Sequence, residues 1–116
     1  MKVTIGLFLF ICFSFSFSIK AEEIPYLLTA SSKGDIESVK AIIESGGNVN
    51  TEDGNKVSAL MYASRKNQVE VARYLISKGA EVNKQEIDGW TALMYASKNN
   101  YSNIVKLLIE NNDDLK

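Results

Sequence analysis

One stretch of the sequence occurs twice at a fixed distance. The residues Ser-Ala-Leu-Met-Tyr-Ala-Ser at positions 58–64 return 33 positions later as Thr-Ala-Leu-Met-Tyr-Ala-Ser at 91–97. A period of this length is typical of repeat proteins, in which each unit packs on its neighbours and stacking builds the core. The repeat constrains the fold more than any other feature, and it favours a binding surface over a catalytic site.

The same register extends over residues 25–116 and divides them into three units. Each unit is predicted to form two short helices, because its apolar residues recur at helical spacing on one face. The first helices are expected over 25–32, 58–66 and 91–99, and the second helices over 36–45, 69–78 and 102–111. Alanine recurs on the first helices at 30, 63 and 96, where a small side chain lets neighbouring helices approach closely.

Helix boundaries carry their own signals. Ser58 and Thr91 stand where a hydroxyl can cap the first helix, and Pro25 takes this position in the first unit. Each link between the two helices falls on a residue that readily adopts a left-handed conformation, and glycine follows two of the second helices. These residues are Gly34, Asn67 and Asn100 in the links, and Gly46 and Gly79 after the second helices. Val49-Asn50 and Val82-Asn83 are predicted to be extended and to lead into polar loops.

These features resemble the ankyrin repeat. The stretches that carry the resemblance are Asp88–Met94 and Gly79–Asn83, together with the second helices at 69–76 and 103–109. The chain departs from the family pattern at the Thr-Pro-Leu-His start, where alanine replaces the proline, and Met61 and Met94 replace the histidine. We expect both methionines to fill space as apolar bulk. The turn at 53–56 looks slipped relative to Asp88-Gly89. The resemblance implies an all-α ankyrin solenoid of about three helix-turn-helix repeats, joined by β-hairpin-like loops.

The N-terminal segment has a different composition. Lys2 is followed by an apolar run over residues 3–19 that holds all five phenylalanines and the only cysteine, Cys12. This order is typical of a secretory signal peptide, and we expect cleavage after Ala21. The alternatives are a retained membrane anchor formed by residues 3–19, although a spanning helix needs roughly 20 apolar residues, and a lipoprotein signal at Cys12. The predicted domains are therefore a signal peptide at 1–21 and a repeat domain at 22–116, with units at approximately 25–54, 55–87 and 88–116.

The composition of the mature chain argues against several functions. Residues 22–116 hold 11 basic and 14 acidic side chains, a net charge of −3 that gives no support for nucleic-acid binding. They contain no histidine and no cysteine, and no nucleophile is paired with a base in a known motif. We therefore predict no enzymatic activity, no cofactor and no metal site. The weak carboxylate candidates for a hard cation, Asp53 and Asp113-Asp114, are better explained as a solvated turn and terminus.

The resemblance places partner binding on the hairpin tips and the exposed faces of the first helices. The predicted contact residues are Lys33, Asn55, Val57, Arg65, Lys66, Ile87, Asp88, Trp90, Lys98 and Asn99. Because four of them are cations in equivalent positions, they suggest a basic stripe that attracts an acidic partner, although first helices also end in charged residues for solubility. Trp90 is either an exposed contact residue or packed over the base of its hairpin.

The last unit differs from the first in the row Ser38, Val71, Ile104, which becomes more apolar along the chain. This trend predicts self-association through Ile104 and Leu107, a partner that covers them, or a marginally stable monomer. A truncated longer array would leave the same pattern. The sequence thus predicts an exported, periplasmic or secreted protein-binding module without enzymatic activity. The alternatives are a membrane-tethered scaffold and an inhibitor or immunity-type partner of an exported enzyme.

Overall fold

Three helix pairs follow one another along the chain. The computed structural model describes residues 24–112, so the predicted signal peptide and the Asp113-Asp114 pair lie outside the described residues. The helices are α1 (Tyr26–Lys33), α2 (Ile36–Glu44), α3 (Ala59–Arg65), α4 (Val69–Ser77), α5 (Ala92–Lys98) and α6 (Ser102–Glu110). Their bounds agree with the sequence-based prediction to within one residue. No helix within residues 24–112 is long and apolar enough to cross a membrane.

The predicted helix caps are formed by the hydroxyl residues. The Ser58 side chain accepts a hydrogen bond from the backbone N–H of Met61 at 3.3 Å, and Thr91 accepts one from Met94 at 3.2 Å. Each bond satisfies one of the backbone donors that the first turn of a helix leaves unpaired. Pro25 occupies the same position before α1 and makes no side-chain cap.

Residues in the left-handed region turn the chain between the two helices of each repeat. Gly34, Asn67 and Asn100 have φ angles of 77°, 59° and 60°, as the sequence predicted. At the first of these positions a side chain from the next repeat lies close to the glycine. The Gln68 side chain lies against Gly34, where a Cβ atom would meet it at 2.2 Å, and its amide nitrogen donates a 3.0 Å hydrogen bond to the carbonyl of Ser32 in the first repeat.

The repeats stack so that equivalent helices lie side by side. The first helices α1, α3 and α5 pack in one row, and the second helices α2, α4 and α6 pack in a second row beside it. Ala30, Ala63 and Ala96 are fully buried where the first helices meet, so their small side chains permit the close approach that the sequence indicated. Around them lies one continuous apolar core.

One prediction about the loops is wrong. Val49-Asn50 and Val82-Asn83 form turns rather than extended segments. The hairpin-like loops contain no strand in residues 24–112, only one isolated antiparallel bridge between Glu52 and Ser58. Backbone bonds nevertheless close both loops like hairpins, from the N–H of Asp53 to the carbonyl of Val57 at 3.1 Å and from the N–H of Glu86 to the carbonyl of Trp90 at 2.9 Å.

The turn at 53–56 keeps the 33-residue register instead of slipping. Lys56 has a φ angle of 66° and Gly89 has one of 87°, so a lysine takes the left-handed place that glycine fills one repeat later. The backbone turn has the same shape in both repeats because equivalent hydrogen bonds hold it. The left-handed conformation is less favourable for Lys56 than for Gly89.

Two faces of each repeat can be told apart by comparing equivalent residues. Positions that are open in the first repeat and buried in the next two are covered by the preceding repeat, and we name them the leading face. The row Ser38, Val71, Ile104 belongs to it, since Val71 and Ile104 are 1% and 0% exposed. The prediction of self-association through Ile104 and Leu107 therefore names the wrong residues: they are 0% and 7% exposed, α4 packs against their helix, and their apolar character serves repeat stacking.

The opposite pattern defines the end face of the third repeat. Met61 is 1% exposed because the third repeat covers it, whereas the equivalent Met94 is 46% exposed. The expectation of a space-filling role holds for Met61 and is wrong for Met94. Leu93, Ser97 and Val105 are likewise more exposed than their buried equivalents Leu60, Ser64 and Ala72, and Ile109 is more exposed than the partly buried Ile76. The end face comprises Leu93, Met94, Ser97, Val105 and Ile109.

Candidate partner-binding surface

A carboxylate organises each of the two described turns between repeats. Asp53 accepts hydrogen bonds from the backbone N–H groups of Asn55 at 2.8 Å and Val57 at 3.0 Å, and from the hydroxyl of Tyr62 at 2.6 Å. Glu86 repeats this pattern 33 residues later. It accepts from the backbone of Asp88 and Trp90 and from the hydroxyl of Tyr95 at 3.1 Å. Each turn is thereby fixed to the first helix that follows it.

The pKa values reflect these bonds. Partial burial alone would raise the pKa of Asp53, but the bonds from Tyr62 and two backbone N–H groups, with the charge of Arg65, hold it below its usual value. The pKa of Tyr62 rises to about 12, because its hydroxyl is partly buried and donates to the ionised Asp53. The pKa of Glu86 is lowered and that of Tyr95 is raised for corresponding reasons.

The two tyrosines hold an arginine between them. The guanidinium carbon of Arg65 lies 4.7 Å from the ring centroid of Tyr62 and 5.3 Å from that of Tyr95. Each contact of this kind contributes about 0.5–2 kcal/mol, depending on how far water is excluded. Arg65 also compensates the charge of the turn carboxylates. Its position is thus fixed by both repeats that it joins.

The row of stacked groups continues into the third repeat. The Trp90 and Tyr95 rings lie 5.2 Å apart between centroids at a tilt of 33°. The ammonium nitrogen of Lys98 lies 5.4 Å from the centroid of the Trp90 ring. We name this set the cation–aromatic row: Tyr62, Arg65, Tyr95, Trp90 and Lys98. It combines fixed aromatic surface with positive charge at the C-terminal ends of α3 and α5.

The structure brings several of the predicted contact residues together beside this row. Arg65, Lys66, Lys98 and Asn99 line a shallow groove with Tyr95, and Lys66 and Lys98 are exposed. Asn55 and Ile87 meet at the turn tips, where the backbone N–H of Ile87 donates a 3.0 Å hydrogen bond to the carbonyl of Asn55. The remaining tip and helix-end positions, Asp88 and Lys33, are exposed.

Two predicted contact residues have other places in the structure. Val57 is only 5% exposed and belongs to the core, so it is wrong as a tip residue. Trp90 is partly buried and packs on Tyr95 under Lys98. Of the two roles considered for Trp90, the packing role is the one present in the free chain, and the ring contacts Lys98 and Tyr95, which both line the groove.

The sequence-based prediction missed the tyrosines and their carboxylates. Asp53 and Tyr62 are separated by nine positions, and so are Glu86 and Tyr95. That recurring spacing within the 33-residue period was the available signal. The described residues hold no cluster of three or more histidine, cysteine, aspartate or glutamate side chains that could bind a metal ion.

Comparison with known families agrees with this geometry. The family model described as ankyrin repeats, in three copies, matches residues 27–116. The chain belongs to the ankyrin-repeat family. Ankyrin repeats are generally protein–protein interaction modules and are typically non-enzymatic. None of the curated proteins compared with this ankyrin-repeat chain matches it.

Proposed function

We propose that this ankyrin-repeat chain is an exported module that binds an acidic protein through the groove beside the cation–aromatic row. The observation that carries the proposal is the fixed position of Arg65 between two tyrosine rings, with exposed Lys66 and Lys98 beside it. Arginine and aromatic side chains are the residues that most often dominate binding energies, and fixed side chains lose little entropy on binding.

Charge supports an acidic partner. The mature chain is acidic overall, with a net charge of −3, yet the groove is lined by three cations. The nearby carboxylates Asp53 and Glu86 are already engaged by the turn backbone and the tyrosines. Lys66 and Lys98 therefore remain available to attract acidic side chains, and such attraction acts most strongly on the rate of association.

Capture of a partner and its charge dependence test the proposal together. The chain would be used to capture proteins from the exported fraction of the producing cells, and those captured would be identified by mass spectrometry. The variant Lys66→Glu, Lys98→Glu should lose capture, and salt should weaken capture by the unchanged chain. Arg65 is left intact in this variant, because replacing it would also disturb the tyrosines that it contacts.

A matched control separates the groove from general charge. Arg73→Glu, Lys106→Glu makes the same change in net charge at exposed positions on the second helices, and capture should persist. Equal loss in both variants, or capture indifferent to salt and to both variants, would contradict the acidic-partner proposal. Because Trp90 is the only tryptophan, its emission should also change as the captured protein is titrated in.

Export rests on the composition of residues 1–21. N-terminal sequencing of the protein recovered outside the cytoplasm should give Glu22 as the first residue. Recovery of the intact N-terminus in the membrane fraction would favour the tethered scaffold instead, and recovery from the cytoplasm alone would contradict export.

A further inference from the structure

The end face of the third repeat continues an interface that the molecule already uses twice. Within the stack, the equivalents of Leu93, Met94, Ser97 and Val105 are covered by the repeat that follows, and Ile76, the equivalent of Ile109, is partly covered. Leu60 and Met61 are each 1% exposed, and Val39 and Ala72 are fully buried. In the third repeat the corresponding Leu93 and Val105 are partly open, and Met94 is 46% exposed.

The contrast is chemical as well as geometric. Met61 and Met94 lie in the same sequence, Ala-Leu-Met-Tyr-Ala-Ser, so local backbone preferences cannot account for their different burial. Ile109, at 44% exposed, adds a second large apolar side chain to the end face. A monomer rarely leaves such groups together in water, and apolar patches of this kind commonly mark interaction surfaces.

The other end of the stack is built differently. At the leading face of the first repeat, Tyr26 is 58% exposed at the position where Ala59 and Ala92 are buried. A tyrosine there prevents the close approach that alanine allows, and Ser38 replaces the apolar Val71 and Ile104. The first repeat is therefore a poor cover for the end face, and head-to-tail stacking of copies is disfavoured.

We propose that the end face is a dimerisation surface on which the end face of a second copy of this chain packs about a twofold axis. None of Leu93, Met94, Ser97, Val105 and Ile109 carries a charge, so two copies of the face meet without repulsion between its own residues. A twofold arrangement pairs the patch with itself and closes the assembly at two chains. It leaves the groove beside the cation–aromatic row to another partner.

Sedimentation velocity of the full chain over a range of concentrations tests this arrangement. We expect a reversible monomer–dimer equilibrium for the unchanged chain. Met94→Lys, Ile109→Lys places charges in the face and should weaken dimerisation at least about tenfold. The milder Met94→Gln should weaken it less, and circular dichroism would establish that each variant keeps its helices. Ile87→Lys is the matched control, because Ile87 is 63% exposed but lies at a turn tip, and it should leave the dimer intact.

Several results would overturn the proposal. One is that the chain stays monomeric at all concentrations. This result would count against the proposal even if the monomer captured a different protein through the end face. Another is a dimer that survives the Met94 and Ile109 substitutions or is lost in the Ile87 control. Larger assemblies that grow with concentration and are abolished by Tyr26→Lys would show head-to-tail stacking instead.

Discussion

Truncating the two equivalent methionines should have unequal effects on stability. Met61→Ala removes a side chain that is 1% exposed and surrounded by the core. Loss of the transferred apolar surface and creation of a cavity should lower the free energy of unfolding by about 2–5 kcal/mol. Since small domains are stable by only about 5–15 kcal/mol, this is a large fraction of the total.

Met94→Ala should lower the free energy of unfolding by much less than Met61→Ala. Met94 is 46% exposed, so its truncation loses only about half of the transfer free energy of about 1.5–3 kcal/mol that a fully buried side chain contributes, and no closed cavity forms. We expect a loss of about 0.5–1.5 kcal/mol. The residues on either side are the same at both sites, so differences in helix propensity between methionine and alanine cancel in the comparison.

Urea unfolding followed by circular dichroism measures both variants. With a slope of about 1.5 kcal/mol/M, Met61→Ala should lower the midpoint by roughly 1–3 M and Met94→Ala by less than about 1 M. Measurement at two protein concentrations separates any contribution from association. Equal losses at the two sites, within about 0.5 kcal/mol, would refute the argument that the following repeat decides how much each methionine contributes.

Three further predictions concern single side chains. The pKa of Asp53 in the folded chain lies below its ordinary value of 3.8. The ionised carboxylate therefore stabilises the fold above that value, and this contribution is lost as the pH falls through the lowered pKa. In Asp53→Asn, the free energy of unfolding measured in urea should decrease less steeply as the pH is lowered. Ser31→Ala should raise the free energy of unfolding by about 1 kcal/mol, because its buried hydroxyl has no hydrogen-bond partner among the described residues. Ser64→Ala should instead lower it by about 0.5–1.5 kcal/mol, since that hydroxyl donates a 2.8 Å bond to a backbone carbonyl. Lys56→Gly should stabilise the chain by about 0.5–1 kcal/mol and Gly89→Lys should destabilise it, because both positions have positive φ.

Each of these comparisons has an outcome that would contradict it. A steeper acid limb in Asp53→Asn would mean that the carboxylate is not stabilised in the folded chain. Equal destabilisation by the two serine substitutions would mean that both hydroxyls are bonded. A loss of stability on Lys56→Gly would mean that the lysine side chain contributes more than its backbone conformation costs.

The candidate surface was predictable only in part. The cations at the ends of the first helices follow directly from the register, as do the tip residues Asn55, Ile87 and Asp88. The stacking of Arg65 between Tyr62 and Tyr95 does not, because it joins two repeats whose spacing depends on how closely the alanines pack. Burial of Val57 in the core also depends on how the turn lies against its helix.

The sequence by itself determined the helices of this protein and the links within each helix pair. A 33-residue period, hydroxyl caps, and glycine or asparagine at the links act locally, and they set three helix pairs with bounds close to those observed. Only the tertiary structure decided which equivalent residues face water. Met61 and Met94 share a position and the same flanking residues, yet Met61 is 1% exposed and Met94 46%, because burial depends on the neighbouring repeat. Local sequence cannot encode that difference, since it arises from the place of each repeat in the stack.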